Sequence, residues 1–330
     1  MSIIRVGLVG YGSMGRNHAR VVRGLANTEL VGVADSNSEL GSSVDGTPRF
    51  DSVDELISLG LDACIVAAPT SLHRAIGEKL ASAKVPTLLE KPLAGSPEDA
   101  QALVNAFAAT GTIGAVGHIE RYNPAIQELK KRLDDGQLGD VYQIVTQRQG
   151  PFPGRIGDVG VISDLASHDV DLTGFVSSSS YDYVMASTAH RSGRKHEDLV
   201  SVTGKLKNGI VVNHVVNWLS PLKERQTIVT GERGAFVAST LTGDLTFYEN
   251  SQTVNDWEAV ANFRGVAEGN VTRYSYVKHE PLRNELETFF RAVEMKKSES
   301  VVTLLDGLAV VQTCDAILKS ASTGEARRIH

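Results

Sequence analysis

Short, uninterrupted apolar runs alternate with helical stretches through the first third of the chain. The runs near 3–9, 29–34, 62–67, 85–89 and 112–117 read as strands, and 71–84 and 97–109, rich in Ala, Leu, Glu and Lys, read as helices. Strands without polar alternation are buried on both faces, as in a parallel sheet covered by helices. The pattern predicts an α/β domain of Rossmann type, a doubly wound parallel sheet ending near residue 120.

The periodicity then changes. A helix-like 124–135 is followed by the turn Asp135-Gly136-Gln137-Leu138-Gly139 and a strand at 140–148, and from 181 to 249 strand follows strand. Asn208-Gly209, between Val200–Lys207 and Ile210–Trp218, is the best hairpin signal in the chain. Gly231-Glu232-Arg233-Gly234 and Thr242-Gly243-Asp244 mark further turns, and helices are expected at roughly 160–176, 281–296 and 302–320. This reads as a C-terminal α+β domain with an open, mostly antiparallel sheet and helices on one face. The domains expected are 1–121 and 122–330, with the final helices free to pack back on the first. The run Ile210-Val211-Val212-Asn213-His214-Val215-Val216 is too apolar for a fully wetted surface. Association of subunits through the open face is therefore expected.

The 330 residues suffice for two ordinary domains. A net charge of −6 argues against nucleic-acid or anionic-membrane partners, so an anionic substrate would need clustered Arg or Lys. Cys64 and Cys314 have neither metal-type spacing nor a disulfide framework, and Cys64 lies in the apolar run Ala63–Ala67. No run approaches the ~20 apolar residues of a membrane span, and the N-terminal run, interrupted by Arg5 and glycines, reads as a first strand and not a signal peptide. A cytoplasmic location is the expectation.

The chemistry starts at Gly10-Tyr11-Gly12-Ser13-Met14-Gly15, directly after the apolar Val6–Val9 and before a helical stretch. This is the G-x-G-x-x-G phosphate cradle in strand–turn–helix context. Gly10 serves the tight turn, Gly12 the close approach of a pyrophosphate and Gly15 the packing of helix on strand, while Ser13 and Met14 supply amides at the helix start. Asp35 lies 20 residues past Gly15 at the end of a second apolar run, where its carboxylate can accept both ribose hydroxyls. It would repel a 2′-phosphate, so NAD is favoured over NADP, although Arg49 could fold back from a later loop to receive one. Pro69, Thr70 and His73, after the third run, form a lip for the cofactor.

Three further clusters carry candidate chemistry. Glu90-Lys91-Pro92 ends the strand Thr87–Leu89, at the carboxyl end where open α/β sheets bind ligands. An ammonium at Lys91 could hold a substrate oxygen and stabilise alkoxide charge, and Pro92 could be cis. Asp164, His168 and Asp171 recur at i, i+4 and i+7 on a helical stretch, apart from the stripe Val161, Leu165, Leu172 and Phe175. A carboxylate one turn from an imidazole suits an oriented general base. A solvated polar face and a metal site are the competing explanations, the latter weakened by the single His and the lack of further ligand spacing. At the domain junction, Gly117-His118-Ile119-Glu120-Arg121-Tyr122-Asn123-Pro124 offers Arg121 to an anion, Tyr122 for stacking and Asn123 for a hydroxyl or amide; an interdomain hinge fits equally well. Arg148 and Arg155, on the way to the Asp164 helix, would suit an anionic substrate such as a nucleotide diphosphate sugar, and a surface loop with ordinary charges fits equally well. The other histidines, His18 among them, show no spacing above structural or solvated roles.

The glycine loop, the Glu90-Lys91-Pro92 triplet and the Asp164…His168 helix together resemble the glucose–fructose oxidoreductase / inositol dehydrogenase / rhizopine-catabolism (Gfo/Idh/MocA) family, over essentially the whole chain. The runs GHIERYNPA and GPFPGRIGDVGVISDLASHDVDL look like its UDP-N-acetylglucosamine 3-dehydrogenase branch, except that Ser167 and Thr173-Gly174-Phe175 stand where bulkier apolar residues are expected. The resemblance implies a two-domain NAD(P)-dependent oxidoreductase of sugars or cyclitols, a homodimer or homotetramer, with Lys91 and His168 catalytic and Asp164 beside them. A non-catalytic, cofactor-sensing regulator on the same fold is the alternative of another class; retention of both Lys91 and His168 argues against it.

Overall fold

The computed structural model describes residues 3–154, 159–250, 268–298 and 300–329. They fall into two compact units, Met1–Ile119 with Glu280–Gln312 and Glu120–His279 with Thr313–His330. In the first unit β1 (Ile4–Val9), β2 (Thr28–Ala34), β4 (Thr47–Phe50), β5 (Ala63–Val66), β6 (Thr87–Glu90) and β7 (Gly114–Gly117) pair in parallel, and β3 (Ser43–Val44) closes one edge antiparallel to β4. The sheet order is β3-β4-β2-β1-β5-β6-β7. Val6, Leu8, Ile65, Val66, Leu88 and Leu89 are fully buried, which is what continuous apolar runs require when helices cover both faces. The helices are α1 (Ser13–Arg23), α2 (Val53–Ile57), α3 (His73–Ser82) and α4 (Pro97–Thr110). The chain steps out from β1 to β2 and returns on the other side to β5. The carboxyl ends of β1 and β5 thus form the switch point at which such sheets bind ligands.

The second unit carries α5 (Pro124–Asp134), β8 (Val141–Pro151), α6 (Ser167–Ser177), β9 (Tyr181–Ala189), β10 (Leu199–Leu206), β11 (Val211–Asn217), β12 (Leu219–Gly231), β13 (Gly234–Ser239), β14 (Asp244–Asn250), β15 (Glu268–Arg273) and, near the C-terminus, β16 (Arg327–Arg328). Its sheet runs β15-β14-β13-β12-β8-β11-β10-β9-β16, with β8 and β11 parallel and the other pairs antiparallel. The hairpin between β10 and β11 turns at Asn208-Gly209, with Gly209 at φ +94°, where a side chain would be strained. Strict alternation buries Ile144, Thr146 and Arg148 of β8 and Val212, His214 and Val216 of β11 on one face. On the other face Val145, Ile228 and Val237 stand in one register row, half-buried. Met185, Val211 and Tyr248 are exposed on that same side.

Two stretches depart from expectation. The helix foreseen over 160–176 starts as a π-turn, Ile162–Ala166, before α6, and the Ser167 hydroxyl donates to the Ser163 carbonyl at 2.8 Å across it. A single wide turn leaves no mark in a 3.6-residue period. β16 is two residues long, too short for any period to show.

α7 (Pro281–Met295) belongs to the first unit. Leu282, Leu286, Phe289 and Phe290 recur at i, i+4, i+7 and i+8 and join Leu8, Val21, Val22 and Val33 in one buried cluster. Each such side chain contributes about 1.5–3 kcal/mol on burial, so a segment distant in sequence completes this core. α8 (Leu304–Thr323) follows, and the division between the units falls within it.

Candidate functional site

The backbone after β1 builds the cradle. Gly10 has φ +89°, and a Cβ there would lie 2.6 Å from the Ala67 carbonyl oxygen. A Cβ on Gly15 would collide with the Gly10 carbonyl. These two glycines are required by the protein's own packing. Gly12 differs: a Cβ there would meet nothing within 4 Å. It is the N-cap of α1 without a side-chain cap, so the amides of Ser13, Met14 and Gly15 open the helix with no intrahelical partner. Open space in front of uncapped amides fits a pyrophosphate.

Asp35 follows β2. Its Oδ2 accepts the Tyr11 amide at 2.6 Å and its Oδ1 the Asn37 amide at 2.8 Å. A carboxylate has about four acceptor positions, so two remain for a ribose. Arg49 does fold back to this place, but it is committed. Its Nη1 donates to the Asp35 carbonyl at 2.6 Å and to Asp51 at 2.7 Å, and its Nε to the Gly41 carbonyl.

Pro69 is exposed and Thr70 half-buried on the 3-10 turn after β5. His73 is revised by the structure. It is 1% exposed, with Nε2 3.0 Å from the Ala68 carbonyl and Nδ1 3.2 Å from the Leu93 carbonyl, so both ring nitrogens face backbone and neither is offered to a ligand. Glu90 is likewise turned inward. Its Oε1 lies 2.7 Å from His18 Nε2, and its Oε2 accepts the Lys91 amide at 3.1 Å. Burial pushes the Glu90 carboxyl up, but the His18 imidazole and the Lys91 ammonium and amide outweigh it and hold it below its ordinary value. Lys91 is half-buried, and its bond to Pro92 is cis. β1, β5 and β6 are neighbours and parallel, so the cradle, the Pro69 turn and Lys91 all lie at one edge of the sheet.

In the second unit Asp164 sits within the π-turn and His168 just after it. Both are half-buried, while Leu165, Ala166, Ser167, Asp169 and Val170 are buried, so the two share the accessible side of this helix. Two features that sequence reasoning missed fix the start of the helix. Glu197 accepts the Ile162 amide on Oε1 at 3.0 Å and the Val161 amide on its carbonyl at 3.1 Å, and Gly160 leaves no room for a Cβ beside Glu197. A Gly-Glu packing pair 37 residues apart has no local signature.

The arginines proposed for substrate are paired internally. Arg121 binds Asp171 in bidentate fashion, Nε to Oδ2 at 3.0 Å and Nη2 to Oδ1 at 2.7 Å, and lies 5.2 Å over the Phe175 ring. Asp171 is buried in this pair. Arg148 donates from Nε to Asp169 at 3.0 Å and from Nη1 to Glu120 at 2.8 Å and is buried. One guanidinium serves two carboxylates, so burial wins at Asp169, whose carboxyl is pushed up to about 6 against the pull of Arg148. Asp169 Oδ2 is buried with no hydrogen-bond partner among the described residues. Asn123 caps α5, accepting the Ala125 amide at 3.1 Å and donating to the Thr240 carbonyl at 3.0 Å, and Tyr122 is 8% exposed. These placements make Arg148 and Asn123 structural and leave Arg121 and Tyr122 little surface for a ligand. Arg155 lies outside the described residues.

Beneath α6, His214 is buried between Thr146, 2.8 Å from Nδ1, and Tyr181, 2.9 Å from Nε2. Burial pushes its pKa down to about 4, so it is a core histidine.

Residues 4–118 match the model of the GFO/IDH/MocA oxidoreductase family, NAD-binding Rossmann fold, and residues 126–237 match the GFO/IDH/MocA C-terminal domain. The chain belongs to the GFO/IDH/MocA family. It is 38% identical to UDP-N-acetylglucosamine 3-dehydrogenase of Acidithiobacillus ferrooxidans over 173 residues, a stretch spanning 52% of this chain and 53% of that protein. It is 26% identical to inositol 2-dehydrogenase of Rhizobium meliloti over 99% of this chain and 98% of that one. The solved structure of the Acidithiobacillus enzyme, GnnA, superposes with a TM-score of 0.83 at 27% identity, covering 97% of this chain and 98% of that one. The family is one of NAD-binding oxidoreductases, and these relatives are named as dehydrogenases of sugar or inositol hydroxyls. Among the described residues no helix is long and apolar enough to cross a membrane.

Proposed function

We propose that this GFO/IDH/MocA protein oxidises, reversibly, a secondary alcohol on a sugar ring, with NAD as cofactor and a UDP-N-acetyl sugar, at C3, as substrate. What supports the proposal most is that Lys91 follows the carboxyl end of β6, in the same parallel sheet whose β1 ends in the open, uncapped cradle at Gly12. Bound NAD would supply the hydride acceptor. Gly12, Ser13, Met14 and Gly15 would hold its pyrophosphate and Asp35 its adenosine ribose, with Pro69 and Thr70 at the rim. The Asp35 carboxylate, which would repel a 2′-phosphate, and the commitment of Arg49 Nε and Nη1 to Gly41, Asp35 and Asp51 favour NAD over NADP.

The chain's own residues then divide the work. Lys91 hydrogen-bonds the reacting hydroxyl and stabilises its charge as the proton leaves. His168 accepts the proton, and Asp164, beside it on the accessible side of the helix, orients the ring. The UDP-sugar preference is supported by the 38% identity to the Acidithiobacillus enzyme. An inositol or free sugar is the second choice, supported by the full-length match to the Rhizobium enzyme. A homo-oligomer formed through the Val145–Ile228–Val237 face is part of the proposal, and so is a cytoplasmic site of action, in keeping with the NAD-linked chemistry of the family.

A panel of UDP-sugars, free sugars and cyclitols mixed with enzyme and NAD tests it through reduced-nicotinamide absorbance. NADH should form with a UDP-N-acetyl sugar. Formation with inositols alone would move the substrate class. Silence across the panel with NAD tightly bound would make this a cofactor sensor.

A further inference from the structure

His18 lies on α1, five residues after Ser13, and is fully buried. A carboxylate only accepts, so His18 Nε2 donates to Glu90 Oε1 across 2.7 Å. The other oxygen of the same carboxylate takes the Lys91 amide at 3.1 Å. Gly117 on β7 backs the group closely, since a Cβ there would stand 3.2 Å from the Glu90 carboxyl carbon. On the far side of Lys91-Pro92, the buried ring of His73 packs with Nδ1 3.2 Å from the Leu93 carbonyl. The short segment that carries the amine thus lies between two buried imidazoles, and His18 is the one that holds it by a hydrogen bond, through Glu90. One of these belongs to the helix whose start forms the phosphate cradle.

We propose that His18 is a positioning residue: through Glu90 it fixes the Lys91 segment to α1, so that the amine is registered against whatever the cradle holds. The proposal rests on the dehydrogenase assignment above. His18 touches neither cofactor nor substrate in it, and its effect reaches the reaction only through Glu90 and the Lys91 backbone. Misplacement of an assisting group by a fraction of an ångström is felt in turnover long before it is felt in binding.

The test is a set of full-length variants assayed for kcat, KM and NADH affinity. His18→Ala should lower kcat by about twentyfold or more, with KM for NAD and the NADH Kd within about threefold of wild type. His18→Gln places an amide N–H near the position of Nε2 and should recover most of the loss. His18→Asn, one atom shorter, should not. A kcat for His18→Ala within about threefold of wild type, or equal rates for the Gln and Asn variants, overturns the proposal. Should His18→Ala fail to fold, the Gln–Asn comparison decides alone. Trace acetylation of Lys91 in the NADH complex, read by peptide mass spectrometry, needs no turnover. A changed Lys91 labelling rate in His18→Asn but not in His18→Gln supports positioning even if Lys91→Ala stays active, in which case only the catalytic assignment falls. Unchanged labelling in both, with Lys91→Ala inactive, removes the positioning role and leaves the catalytic one.

Discussion

At the start of α1 the first unit leaves space in front of Gly12, amides without a cap, and two acceptor positions on Asp35. Around α6 the second unit does the reverse: Arg121 is locked to Asp171, and Arg148 to Asp169 and Glu120. Both regions were read as ligand sites from residue type and spacing. A cradle made of backbone is defined by where the chain turns, and it stays open because a glycine has nothing to fill it with. A cluster of charged side chains close to the core instead satisfies itself, because an unpaired buried charge costs far more than a paired one. Of the ionisable side chains on that helix, Asp164 and His168 keep accessible surface while Asp169 and Asp171 are buried.

The sharpest way to break this contrast is to remove one partner from the paired region. Arg121→Ala leaves Asp171 buried without its bidentate partner, and the second unit should lose about 3–5 kcal/mol of stability in urea melts. A loss below about 1 kcal/mol would mean that the arginine is held loosely and is available to a ligand after all. In the open region the expected effect is smaller and of a different kind. Gly12→Ala adds a methyl to empty space, so thermal stability should hold while NADH affinity falls about tenfold to a hundredfold, the methyl standing where the pyrophosphate would approach. Gly15→Ala should do the opposite, lowering the melting temperature because its Cβ meets the Gly10 carbonyl. Equal behaviour of the two variants would erase the distinction between packing glycine and ligand glycine.

The smallest effect is one of pH. Burial holds the Asp169 carboxyl at about 6, above the value of about 3.9 for an unfolded chain. The folded protein therefore favours the protonated form. The stability this group contributes is fully present below about pH 4 and is lost as the pH rises through about 6. Asp169→Asn fixes an uncharged side chain and keeps an oxygen for Arg148 Nε. It should be more stable than wild type by about 1–2 kcal/mol near pH 8, with the advantage gone near pH 4. Denaturant midpoints at the two pH values measure this, and identical midpoints near pH 8 would show Arg148 carrying both carboxylates in full.

The two sheets were legible because burial imposes a period: Val6–Val9 and Ala63–Val66 run apolar between helices, and β8 and β11 alternate. The turn after β1 was legible because Gly10 and Gly15 answer backbone demands at fixed spacing, with Gly12 open between them. The partners of Asp171 and Asn123 were not legible because partnership between side chains depends on register across elements. Arg121 meets Asp171 from 50 residues away, and Asn123 meets the Thr240 carbonyl from 117. His18 was passed over for the same reason, since its partner Glu90 lies 72 residues on. The π-turn that carries Asp164 is a one-residue change of winding, invisible to any period, although it sits at the position where such turns tend to mark function.

Steady-state turnover of Lys91→Ala, measured beside its NADH affinity, bears most directly on the assignment of this sheet edge as a redox site. The expected result is a fall in kcat of about a hundredfold or more with the NADH Kd within about threefold of wild type. A fall of less than about tenfold would contradict it, because the amine at the end of β6 would then hold no charge that develops in the reaction.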